Sequence, residues 1–138
     1  MARYVFAYLA TALFFLVLDG FWLGTMAPRV YRPLVGDMLL ATFRVGPAAA
    51  FYLLYVLGVV LMAVAPALRS GDWRVAALNG AYLGFFAYAT YDLTNLATLK
   101  HWSLQLSIID MAWGTFATCL GATLGFGATT WLAARFSL

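Results

Sequence analysis

Three aspartates stand inside apolar runs: Asp19 in LDGFWLG, Asp92 in YDLTN and Asp110 in IDMAWGT. A charge at the centre of a bilayer costs about 2.5–3.5 kcal/mol on insertion scales, so such a residue asks for a partner or a function. A carboxyl shielded from water can serve as a general acid or base. Asp19, Asp92 and Asp110 are therefore the candidate catalytic residues. Asp19 and Trp22 lie three residues apart, hence on one helical face, and so do Asp110 and Trp113. Asp92 shares a face with Tyr88 and Asn95, while Tyr52 and Tyr55 come from a run that holds no charge. Trp22, Tyr52, Tyr55, Tyr88, Asn95 and Trp113 are the candidate ligand-binding residues. Their rings can wall an apolar body, while Asn95 and the carboxyls orient a polar end. No nucleophile–base pair and no cofactor motif is visible, so no cofactor is expected.

Depth supports a common layer. Four runs are long enough to cross a bilayer, which takes roughly 20 apolar residues: about 4–26, 47–67, 75–98 and 104–134. Asp19 and Asp92 precede the ends of their runs by seven and six residues, and Asp110 follows the start of its run by six. At 1.5 Å per residue all three lie about 10 Å below one face. Three ionised carboxylates there would repel one another strongly. One must carry a proton, or a cation must sit among them.

Composition sets the frame. The chain has 138 residues, 65% of them hydrophobic and 9% charged, with a mean hydropathy of +0.90. Soluble domains carry about 25% charged residues. The expected fold is an all-α integral membrane protein: one domain over 1–138, a four-helix transmembrane bundle with an interfacial amphipathic segment in the first loop. The 27–46 stretch, APRVYRPLVGDMLLATFRVG, is that segment, punctuated by Pro28, Pro33 and Gly36. A short turn, LRSGDWR over 68–74, joins the second and third runs. Four spans put both termini on one face and the 27–46 and 99–103 loops on the other. Arg3, Arg69, Arg74 and Arg135 then oppose Arg29, Arg32, Arg44 and Lys100, four against four. The short tails and tight turn favour termini in the cytoplasm. Glycine pairs at four-residue spacing, Gly20/Gly24, Gly80/Gly84 and Gly121/Gly125, predict close helix packing.

Several classes fall away. The net charge of +3 is scattered, with no basic run for nucleic acid. The single cysteine, Cys119, excludes a disulfide within the chain. Lone His101 and lone Cys119 argue against zinc and bis-His haem. Three carboxylates with Asn95 leave a hard cation open as a third-ranked reading, and no metal is assigned. LDGFWLG, YDLTNLATLKHWSLQLSIIDMAWGT and the YR-x-x-x-GD segment resemble a family of small bacterial predicted membrane proteins catalogued as a domain of unknown function. The resemblance implies four spans and a multi-pass place in the bacterial inner membrane, and it implies no chemistry.

Three functions then compete. The first is a pocket that binds, or binds and modifies, a membrane lipid or small amphipathic ligand, with Arg29, Arg32, Lys100 and His101 attracting a phosphate or carboxylate headgroup. The second is a proton-coupled small transporter working as a homodimer. The third is a structural protein whose polar layer only holds helices together.

Overall fold

The computed structural model describes residues 1–136; the last two residues of the expected 1–138 domain lie outside that range. No strand occurs among the described residues. The first helix, α1 (Ala2–Met26), does not stop at the expected boundary. It runs through a π-helical turn (Ala27–Tyr31), α2 (Arg32–Val35) and a 3-10 turn (Gly36–Met38). Residues 27–38 of the expected interfacial segment are therefore a continuation of the first rod, and 39–44 link it to the next without a helix. Pro28 and Pro33 each lack an N–H, and the wider turn accommodates the missing bonds without breaking the helix.

The second rod is α3 (Val45–Val59), a π-helical turn (Val60–Val64) and α4 (Ala65–Ser70). Pro66 cannot donate to the Met62 carbonyl four residues back. The side chain of Asn79, on the next rod, donates to that carbonyl instead, at 3.0 Å. A polar residue facing lipid-like surroundings is thus committed to a backbone group that proline left open. Gly71 closes α4 in the left-handed conformation, φ 72°, and its N–H returns to the Ala67 carbonyl at 2.8 Å. Asp72 then caps α5 (Trp73–Thr98) by accepting from the Arg74 N–H at 2.9 Å. The last rod is α6 (Leu104–Phe136).

Ala2–Met38, Val45–Ser70 and Leu104–Phe136 are each long and apolar enough to cross a membrane. α5 is also long, at 26 residues, but its polar load keeps it outside that group. The outer surface is apolar: Leu9, Leu13 and Leu16 on α1, and Leu53, Leu54 and Leu57 on α3, are exposed. Threonines within α5 and α6 donate to carbonyls four residues back, so their hydroxyls need no partner outside the helix.

α6 is the central rod, with α5 and α1 packed on it. Glycine explains how close α5 comes. A Cβ on Gly84 would fall 2.2 Å from the Gly114 carbonyl oxygen, and one on Gly80 2.8 Å from that of Thr118. On the α1 side, a Cβ on Gly125 would meet Thr11 Oγ1 at 2.1 Å. Gly121 meets Phe15 at ordinary contact distance, and Gly20 and Gly24 have nothing within 4 Å. The expected packing role therefore holds for Gly80/Gly84 and for Gly125, while Gly20 and Gly24 face away from any helix. The second rod behaves asymmetrically. Its half from Val60 onward packs on α5, whereas α3 leans on α1. α3 and α5 diverge towards the end that holds the aspartates.

Candidate functional site

The divergence opens a cavity of about 530 Å³ among α1, the 27–39 segment, α3, α5 and α6. Asp19, Trp22, Tyr52, Tyr88, Asn95, Asp110 and Trp113 all line it. Two expected residues do not. Tyr55 turns to Thr118, oxygen to oxygen at 2.8 Å. Asp92 is fully buried, at 0% exposure, behind the cavity wall.

Asp19 and Asp110 are 7% and 5% exposed; donors from other segments hold them, a hydroxyl and an indole for Asp19 and a hydroxyl for Asp110. Asp19 accepts from the Tyr52 hydroxyl through Oδ2 and from Trp113 Nε1 through Oδ1 at 3.4 Å. Asp110 accepts from the Tyr31 hydroxyl through Oδ1. Tyr31 in turn accepts from Trp22 Nε1 at 3.1 Å. The two Asp-x-x-Trp motifs thus exchange partners, since each tryptophan serves the aspartate of the other motif, one directly and one through Tyr31. Between them the two indoles stack, centroids 4.3 Å apart and planes 5° from parallel.

Asp92 has the opposite character. Neither of its carboxyl oxygens meets a hydrogen-bond donor among the described residues. The charged group beside it is Asp110. Two carboxylates have no hydrogen to share, so a bond between Asp92 and Asp110 requires one proton held between them. The three aspartates do not form a cation cage: among the described residues no three Asp, His or Cys side chains come close enough to hold a metal ion. The third-ranked cation reading loses its geometry here.

The sequence reading missed Tyr31. It sits between Pro28 and Pro33 in a stretch read as a loop, and only the uninterrupted helix aims its hydroxyl at Asp110. Gly114 was missed too. A Cβ there would lie 2.2 Å from the Tyr88 ring, so Gly114 seats that ring against the cavity. An Asp followed by a small residue four places on, Asp110 then Gly114, was the available signal.

Two further spaces adjoin the cavity. A slot of about 350 Å³, lined by Phe51, Tyr55, Ala87, Tyr88 and Tyr91, lies between α3 and α5 and shares Tyr88 and Tyr91 with the cavity. Phe51 and Tyr91 are exposed at its outer edge. A wider groove, about 950 Å³, shares Met38 and Leu39 with the cavity and carries Arg32 and Arg44. The expected basic attraction at the site itself is not built. Arg29, Arg32, Lys100 and His101 are exposed, and none of them lines the cavity.

In comparisons with known proteins, residues 4–127 match the model of a family described as "Predicted membrane protein (DUF2177)". No curated protein and no solved structure matches the chain.

Proposed function

The chain belongs to the DUF2177 family of predicted membrane proteins, and on that footing we propose that it binds a lipid or similar amphiphile within the bilayer. In this reading all four rods span, including α5, whose polar face turns towards the other helices. The termini share the cytoplasmic face of a bacterial inner membrane. The observation that carries the reading is the pairing of two spaces: a cavity with carboxyls and Asn95 on its walls, and an aromatic slot that leads from it to the outer surface between α3 and α5. An amphiphile needs such a pair, one for each end. The slot gives its chain a way in from the membrane without crossing water.

One observation favours the structural alternative. The Tyr52–Asp19 and Tyr31–Asp110 bonds tie separate segments together, as helix-holding groups do. Holding helices together does not call for an open space of about 530 Å³ beside the same carboxyls. The test is native mass spectrometry of the purified protein after exchange through fresh detergent. One amphiphile should remain per chain. Asn95→Trp fills the cavity without touching either Tyr–Asp bond, and it should release that molecule. Wild-type protein that emerges empty, or a retained molecule indifferent to the substitution, would reject the pocket.

A further inference from the structure

The cavity walls are unequal in what they offer a ligand. Five of its donors are already committed, while the Tyr88 and Tyr91 hydroxyls and the Asn95 amide, which accept as well as donate, stay free for a ligand. The Tyr52 and Tyr31 hydroxyls go to Asp19 and Asp110, and the Trp113 and Trp22 N–H groups go to Asp19 and Tyr31. Trp102, also on the wall, donates its N–H to Ser107 Oγ at 3.1 Å. No Lys, Arg or His lines the space. The acceptors are in surplus, because an ionised carboxylate offers about four lone-pair sites and Asp19 fills only two of them. Behind Asp110 stands Asp92, wholly buried, and even with one proton shared between them the pair keeps a negative charge that no Lys, Arg or His on the cavity wall offsets.

From this we infer that the polar end of the ligand is a hydrogen-bond donor bearing positive charge, a primary ammonium, and not a phosphate or carboxylate. This rests on the amphiphile reading above and specifies it. An anion at this depth would face Asp19 and Asp110 with no cation to offset them. An ammonium carries three donors and no acceptor, and the carboxyls of Asp19 and Asp110 are the strongest acceptors on the walls. The indole and phenol faces add cation–π attraction. A headgroup with both an ammonium and a phosphate suits the wider surroundings, because the groove that shares Met38 and Leu39 with the cavity places Arg32 and Arg44 outside it.

Three twelve-carbon probes differing only in their polar end test this: dodecylamine, dodecanol and dodecanoate, each titrated into the full-length protein in detergent and followed by tryptophan fluorescence. Dodecylamine should saturate at a concentration about tenfold below dodecanol, the worth of one charge-assisted hydrogen bond. Dodecanoate should bind more weakly than dodecanol. Asp19→Asn and Asp110→Asn should each remove about tenfold of the amine affinity and so narrow its margin over dodecanol. Because wild-type selectivity alone decides, a variant that fails to fold does not leave the inference open. Dodecanoate binding as tightly as dodecylamine would overturn the ammonium while keeping the pocket. If none of the three probes saturates, the pocket itself is refuted. In nanodiscs, displacement of dodecylamine by phosphatidylethanolamine but not phosphatidylglycerol identifies the amine as a lipid headgroup. Amine selectivity without that displacement identifies a single-chain amine, and both results uphold the class.

Discussion

Gly114→Ala places one methyl group where the fold has room for none. The new Cβ would stand 2.2 Å from Cγ and Cδ2 of Tyr88, a shortfall of about 1.2 Å against the 3.4 Å at which ordinary contact begins. Because Cγ is the root of the ring, rotation about the ring axis gives no relief. Either Tyr88 changes its χ1 rotamer or α5 moves away from α6. The second route is opposed by Gly80 and Gly84, whose close approach to the α6 backbone is the main seam of the fold. Relief therefore comes from the ring, and it can swing only towards the cavity or the slot, both of which it lines. Overpacking of this kind costs about 1–3 kcal/mol. Unfolding in mixed detergent–SDS should show that loss, and dodecylamine affinity should fall about tenfold or more as the ring enters the space, about 1.4 kcal/mol. Gly20→Ala is the matched control, since nothing lies within 4 Å of its Cβ. It should be neutral, or stabilising by up to about 1 kcal/mol from helix propensity. Equal stability and equal affinity for Gly114→Ala and wild type would refute the assignment of Gly114 as the seat of Tyr88.

Asn79→Leu should cost about 1–2 kcal/mol, because the Met62 carbonyl loses its donor. In a Pro66→Ala background, where residue 66 regains an N–H, the same change should cost under about 0.5 kcal/mol; equal costs in the two backgrounds would show that the bond does not compensate for proline. If Asp92 and Asp110 share a proton, infrared spectra of the wild type at neutral pH should contain the carbonyl stretch of an un-ionised carboxylic acid. Asp92→Asn should remove that band and keep the fold, and a spectrum showing only carboxylate bands would exclude the shared proton. In a Cys119→Ser background, cysteines at positions 70 and 32 should label from opposite sides of the membrane, and labelling from one side would end the four-span reading.

How much of this was legible depended on which interactions are local. The ends of α5 and α6 were readable, because the apolar runs stop at polar loops. The expected 75–98 and 104–134 became Trp73–Thr98 and Leu104–Phe136. The first run misled because proline is read as punctuation. The spacing of Pro28 and Pro33 lets a π-helical turn absorb both, and only the resulting register turns Tyr31 inward. The level of the aspartates was legible from counting residues along a helix. Their separate surroundings were not, because rotation about each helix axis is set by glycine contacts with neighbours. That rotation puts Asp110 on the cavity wall and Asp92 behind it. Gly20/Gly24 has the same spacing as Gly80/Gly84, yet only the second pair has a helix against it.

The exchange of partners between the two Asp-x-x-Trp motifs also dictates an order of assembly. Trp113 is 94 residues beyond the aspartate it serves. A chain made from its N-terminus therefore puts Asp19 into the membrane long before Trp113 has been synthesised. In the interval the hydroxyl of Tyr52, 33 residues on, is the earlier of its two partners to arrive. α6 brings Asp110, Trp113 and the glycine seam for α5 together. The polar chamber thus comes into being only once α6 has been made, and a chain truncated before residue 110 would carry its first aspartate only partly bonded.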